Sequence, residues 1–276
     1  MSKARIEARF AALRSEGRAA FVPYIMAGDP EPATAQQILN GLPAAGADLI
    51  ELGFPFSDPM AEGPPIQRAA QRALAGGMTL AGTLQMVREF RTTDQDTPLI
   101  LMGYMNLLVT MGFKAFAQAA GDAGVDGIII VDCPPEEADP MADALDAADI
   151  SLIRLATPTT DDKRLPTVLR RTSGFVYYVS VAGVTGVKEA DAAAVAPHVE
   201  RIRKASGLPV AVGFGIKTEE RAEAIAKVAD AVVVGSALVD EVAEAVANNE
   251  SVTTRVLLKV ETLSKAVRFA RVGVAV

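Results

Sequence analysis

Apolar runs recur along the chain at AAFVPYIMAG (19–28), ADLIELG (47–53), TPLILMGY (97–104), VDGIIIVD (125–132), DISLIRLA (149–156), GFVYYVS (174–180), LPVAVGFG (208–215) and ADAVVVGSA (229–237). Several are apolar nearly throughout, as parallel strands buried on both faces are. Each gap holds an amphipathic stretch rich in Ala, Glu, Arg and Gln that is long enough for a helix. The alternation predicts eight βα units and hence a parallel α/β architecture. A doubly wound sheet is the alternative, but no GxGxxG follows the first strand, where a dinucleotide fingerprint belongs. No Pro/Ser-rich linker divides the repeats, so the expectation is one (β/α)₈ TIM barrel over residues 1–276. Ile6, Phe10 and Leu13 stand at helical spacing ahead of the first strand and predict an extra N-terminal helix across the barrel bottom.

Uneven gaps add detail. The segments after strand 2 (Gly53 to about Thr79) and after strand 6 (Val181 to about Pro197) exceed a minimal connection and are expected as active-site loops. Composition then narrows the ligand. Hydrophobic residues make up 50% and charged ones 22%, ordinary for a chain that buries a large core. A net charge of -7 offers no basic surface for phosphodiester backbones, so the expected ligand is a small molecule and not nucleic acid. Cys133 is the sole cysteine, which fits a reducing compartment. The N-terminus lacks the apolar centre of a signal peptide, and no apolar run approaches the roughly 20 residues of a membrane span. A cytoplasmic location without membrane contact is the expectation.

Barrel active sites lie at the C-terminal strand ends. The second strand closes on Glu51, within ELGFPFSDPMAEGPPIQ (51–67). A carboxylate on an otherwise apolar strand is either used there or paired structurally. Glu62 follows in a loop punctuated by Pro55, Pro59, Gly63, Pro64 and Pro65 that can curl over the mouth, although an isolated loop glutamate is commonly a solvated charge. AGVTG (182–186), GFG (213–215) and GSA (235–237) follow strands 6, 7 and 8. Three glycine clusters at adjacent strand tops, with a helix starting after Ser236, read together as a phosphate site, while each alone reads as a tight turn. Tyr177 points either to substrate or into the core, and Asp132 either holds a polar substrate group or caps a turn. His198, the only histidine, is expected at the surface, which leaves no triad or histidine-rich metal site.

FVPYIMAGDP (21–30), ELGFPFSDPMAEGPPIQ (51–67), GVDGIIIVDCPPEE (124–137), AGVTG, VGFGI (212–216) and GSALV (235–239) together resemble the tryptophan synthase α-subunit family, in the family's order. The resemblance implies retro-aldol cleavage of indole-3-glycerol phosphate, with no metal or cofactor in this chain. It implies Glu51 as general acid/base at indole C3 and the glycerol hydroxyl. The family's second carboxylate, usually aspartate, corresponds to Glu62, and a basic residue common before AGVTG is replaced by Val181. Tyr177 matches the family's substrate-site tyrosine, and Gly186, Gly215, Gly235 and Ser236 match its phosphate-binding positions. Phe21, Tyr104 and Phe214 are expected to form the apolar indole slot, with Asp132 and Thr185 as further substrate contacts. The segment with Gly183, Thr185, Gly186 and Lys188 is expected to act as a lid. The implied partner is a pyridoxal-phosphate β-subunit in an αββα assembly, contacted through Pro55–Pro59 and Asn106–Gly112 with Phe56 and Met111 exposed. Two other readings are a Schiff-base aldolase, which lacks a lysine at any strand end, and a binding-only partner, against which both glutamates speak.

Overall fold

Strands that are apolar on both faces must be covered on both, and closing them into a ring packs one face inside while helices cover the other. In the computed structural model, which describes residues 2–180, 191–213 and 215–271, eight parallel strands close into a barrel in chain order. They are β1 (Ala20–Met26), β2 (Ile50–Gly53), β3 (Leu99–Gly103), β4 (Gly127–Ile130), β5 (Ser151–Ala156), β6 (Val176–Val179), β7 (Val210–Gly213) and β8 (Ala231–Val234). β1 carries Tyr24 beside Glu51 of β2, and its other edge sets Ala20 beside Ala231 of β8, which closes the ring.

The helices α1 (Ser2–Ser15), α2 (Pro32–Gly41), α3 (Pro64–Ala75), α4 (Leu80–Arg91), α5 (Met105–Met111) and α6 (Phe113–Ala123) accompany the first half. The second half has α7 (Asp139–Ala147), α8 (Leu165–Leu169), α9 (Ala192–Ser206), α10 (Glu219–Ala226), α11 (Ser236–Ala247) and α12 (Val252–Phe269). As the spacing predicts, α1 plugs the bottom: Ile6, Phe10 and Leu13 are buried, and the Phe10 ring lies 5.8 Å from that of Phe175.

The bottom rim is held by three aspartates that each precede a strand and accept the first N–H groups of the strand before it. Asp48 accepts from Phe21 N at 2.9 Å, Asp126 from Leu99 N at 2.8 Å, and Asp230 from Val210 N at 2.8 Å. Each also meets arginine: Arg18 grips Asp48 with two bonds, Arg5 and Arg91 bracket Asp126, and Arg203 reaches Asp230. Asp48 and Asp126 are buried, and their burial is tolerated because charge and lone pairs are both satisfied, while Asp230 is half-buried. The rim therefore fixes the end of the barrel opposite the site.

Several expected loops are helical. Within the stretch after strand 2, Pro64–Ala75 forms α3, with prolines at its first two positions. Proline suits a helix start because the N–H it lacks has no intrahelical partner there. The segment after strand 3 is α5, and α9 begins at Ala192, five residues before Pro197, so the loop after strand 6 is shorter than expected. Residues 181–190 lie outside the described residues.

Candidate active site

The strand tops surround a pocket lined from β1, β2, β3, β6 and β8, the loop after β2, α3 and the start of α11. Its polar lining is Glu51, Glu62, Tyr24, Tyr177 and Ser236; Ile66, Met102 and Val233 supply apolar walls. Both carboxylates come together here, and neither is a solvated charge: Glu51 is 2% exposed and Glu62 8%. Neither carboxylate has an ion-pair partner among the described residues. A paired structural role for Glu51 is thereby set aside.

Position follows from local structure. β2 runs to Gly53, so Glu51 lies one inward-facing step below the strand top and is fixed by pairing to β1 and β3. Glu62 sits at the end of the loop that precedes α3. That loop is pinned by the Tyr104 hydroxyl, which accepts a hydrogen bond from Ala61 N at 3.0 Å, and by Gln67 Nε2, which donates to the Glu62 carbonyl at 2.9 Å. Phe56 stacks on Tyr104 with ring centroids 5.1 Å apart.

Burial raises both carboxyl groups. Glu51 is pushed up to about 8, by burial first and by the neighbouring Glu62 charge second, and Glu62 is pushed up to about 7 by burial. Near neutral pH the pair therefore holds a proton. Two buried carboxylates of this kind can serve as an acid and a base in the same pocket. Burial also raises the phenols of Tyr24 and Tyr177 well above the usual tyrosine value, so both stay neutral donors.

The pocket depends on two missing side chains. A Cβ on Gly213 would collide with the Tyr177 hydroxyl, and one on Gly53 would collide with that of Tyr24. Glycine at these strand tops lets each tyrosine lie across the neighbouring strand and reach the pocket.

The remaining expected residues divide. Tyr177, Gly235 and Ser236 line the pocket, the last two at the start of α11. Gly215 follows β7 at φ +74°, a left-handed conformation suited to glycine. Phe21 does not contribute: it lies at the N-terminal end of β1, buried beside the Asp48 rim, and Tyr24 takes the position expected of it. Tyr104 is buried at the start of α5 and holds the Glu62 loop, not the pocket wall. Asp132 accepts a hydrogen bond from Met105 N, the first residue of α5, at 2.8 Å, and so ties the top of β4 to α5 and not to the turn that follows it. Thr185, Gly186 and Phe214 fall outside the described residues, as do Val181, Gly183 and Lys188. His198 is not freely exposed; it stacks on Tyr178 at 5.3 Å, outside the barrel. Tyr24 is the residue that pattern reading misses. Its signal is its place three residues into FVPYIMAG, but in a strand buried on both faces the inward and outward positions look alike.

Among the described residues no group of three His, Cys, Asp or Glu side chains forms a metal cluster, and no helix is long and apolar enough to cross a membrane. Phe56, expected exposed, is half-buried against Tyr104. Met60 at 77%, Val109 and Met111 are the exposed apolar side chains near the mouth.

The family described as tryptophan synthase alpha chain matches residues 10–268. The tryptophan synthase alpha chain of Phenylobacterium zucineum is 80% identical over 98% of both chains, and that of Caulobacter vibrioides 72% over 99% of both. Among solved structures, tryptophan synthase subunit alpha from Legionella pneumophila superposes with a TM-score of 0.89 at 40% identity, covering 95% of this chain and 98% of the other. A chain of Mycobacterium tuberculosis tryptophan synthase gives 0.87 at 33% identity, covering 96% and 98%.

Proposed function

The chain belongs to the tryptophan synthase alpha chain family, and we propose that Glu51 and Glu62 carry the proton transfers of its reaction. As an alpha chain it is a carbon–carbon lyase, cleaving indole-3-glycerol phosphate to indole and glyceraldehyde 3-phosphate and passing indole to a β-subunit. The observation that carries the assignment is the meeting of two buried, proton-holding carboxylates in one pocket.

The chemistry needs both. Protonation at C3 turns indole into a non-aromatic indolenine; the glycerol hydroxyl then loses its proton as the C–C bond breaks, and the indole N–H proton is handled at the far side of the ring. Glu51, held rigidly on β2, supplies the proton to C3 and recovers one from the hydroxyl. Glu62, ionised, accepts the indole N–H proton as C3 is protonated and returns it to the ring nitrogen as the C–C bond breaks. Ile66, Met102 and Val233 provide the apolar wall that the ring requires.

This division sets a pH profile. Single-turnover cleavage is expected to rise as Glu62 ionises near 7 and to fall as Glu51 loses its proton near 8. A rate flat between about pH 5 and 9 would remove the pair from the chemistry.

The phosphate is proposed to sit at the start of α11, where Gly235 and Ser236 line the pocket and free N–H groups and the helix dipole favour a dianion. Gly215, on the adjoining strand top, is proposed to let backbone approach the same group. Gly215→Val is expected to weaken glycerol-phosphate binding by about tenfold or more while indole binding changes little, because a branched side chain at positive φ is strained and blocks the approach. Equal affinity of parent and variant by calorimetry would exclude this loop.

The β-subunit is proposed to dock on Met60, Val109 and Met111, exposed on the loop after β2 and on α5 beside the mouth. An αββα assembly, pyridoxal phosphate held by the β-subunit and a cytoplasmic location complete this reading. Handing indole to a docked partner suits a product that is apolar enough to cross membranes.

A further inference from the structure

Tyr24 stands beside Glu51 in the β1–β2 register, and its ring crosses to β2. Its hydroxyl occupies the space that a side chain at Gly53 would fill. Residues two apart on a strand face the same way, so Gly53 and Glu51 share the inner face, and the hydroxyl lies one step nearer the mouth than the Glu51 side chain. Tyr24 lines the same pocket as Glu62 and is buried, yet its hydroxyl has no hydrogen-bond partner among the described residues. The hydroxyl opens onto the pocket, where a donor without a protein partner points to one in the working site.

We propose that Tyr24 is a positioning residue of the acid–base pair: its O–H donates to the ionised Glu62 carboxylate, which keeps the proton of the pair on Glu51. The inference rests on Glu51 and Glu62 being the proton-transfer pair. Three features carry it. The hydroxyl is aimed at the pocket by Gly53. Burial and then the neighbouring Glu62 and Glu51 carboxylates raise the Tyr24 phenol. The groups facing Glu62 are Glu51 from β2, Tyr24 from β1, Tyr177 from β6 and Tyr104 from the end of β3. Asp29 is paired with Arg72, and Tyr104, whose hydroxyl accepts from Ala61 N, keeps its own O–H as a second neutral donor. No lysine, arginine or histidine lines the pocket among the described residues, so a neutral donor is what is left to favour the anion.

The direction of the effect follows. A donor to the carboxylate lowers its pKa; removing the donor raises it, and a base that must be ionised then requires higher pH. Tyr24→Phe keeps the ring over Gly53 and so preserves packing. Single-turnover cleavage of indole-3-glycerol phosphate is measured against pH for the parent, Tyr24→Phe and Glu51→Gln, with substrate affinity determined for each. The acid limb of Tyr24→Phe is expected to move up by about one pH unit, with a loss of about tenfold below the parent midpoint and binding changed by less than about twofold. A slower variant with an unmoved limb, or one that differs only in substrate affinity or melting temperature, would mean that the ring merely packs and would overturn the proposal. Glu51→Gln separates the two levels. If it still cleaves, the pair itself is misassigned; if it is inactive while the Tyr24→Phe limb stays in place, only the role of the tyrosine falls.

Discussion

Glu51→Gln is expected to fold, to bind indole-3-glycerol phosphate near normally, and to lose cleavage by about 10⁴ or more. The amide matches the carboxyl in shape but transfers no proton, and a positioned acid/base group contributes about 10²–10⁴ in rate for one transfer. Glu51 is assigned two transfers, at C3 and at the glycerol hydroxyl, so its loss belongs at or beyond the upper end. Folding is expected to survive because the carboxyl has no ion-pair partner to strand. Its burial also favours an uncharged group, which glutamine supplies. Single-turnover cleavage above about a tenth of the parent rate in a folded variant would deny Glu51 a central role.

Glu62→Ala is expected to lose roughly two or more orders of magnitude, and Glu62→Asp to stay within about tenfold of the parent. Alanine removes the base for the indole N–H. Aspartate only withdraws it by one methylene, and the loop between β2 and α3 gives it somewhere to move. The two hydrogen bonds that pin this loop, at Ala61 N and the Glu62 carbonyl, act on backbone and are retained in both variants. The loss in alanine therefore reports the carboxylate and not a collapsed loop. Rapid-mixing measurements with saturating substrate and β-subunit give both rates; equal activity of the alanine variant and the parent would return Glu62 to an ordinary loop charge.

The eight strands were legible because a parallel strand covered on both faces leaves an apolar run that little else produces, and α1 because Ile6, Phe10 and Leu13 keep helical spacing. The same property hid the orientation of side chains. In FVPYIM every residue is buried, so nothing in the pattern tells Phe21 at the bottom rim from Tyr24 in the pocket. Pro64 and Pro65 read as loop punctuation, yet they open α3, since a helix start demands nothing of the N–H that proline lacks. The sequence pattern leaves Tyr104 and Phe56 free to meet indole or a partner. Their stacking on each other across two strand tops is a tertiary contact between residues distant in sequence, and no local pattern encodes it. Glu51 was legible for the opposite reason: a carboxylate in an apolar strand is conspicuous. The burial of Glu62 was not, because it depends on how its loop is tied to Tyr104.

The division of labour between a strand-held and a loop-held carboxylate is tested most directly by shortening each by one methylene and comparing the two. Glu51 is locked in the barrel by pairing on both sides, so Glu51→Asp should misplace the carboxyl by about 1 Å, an error that costs about 10² in rate. Single-turnover cleavage by Glu51→Asp and Glu62→Asp, measured side by side with saturating substrate and β-subunit, is expected to leave Glu62→Asp the faster by about tenfold or more. Glu51→Asp equal to or faster than Glu62→Asp would contradict the account, showing that the loop holds its carboxylate as rigidly as the strand or that the two roles are exchanged.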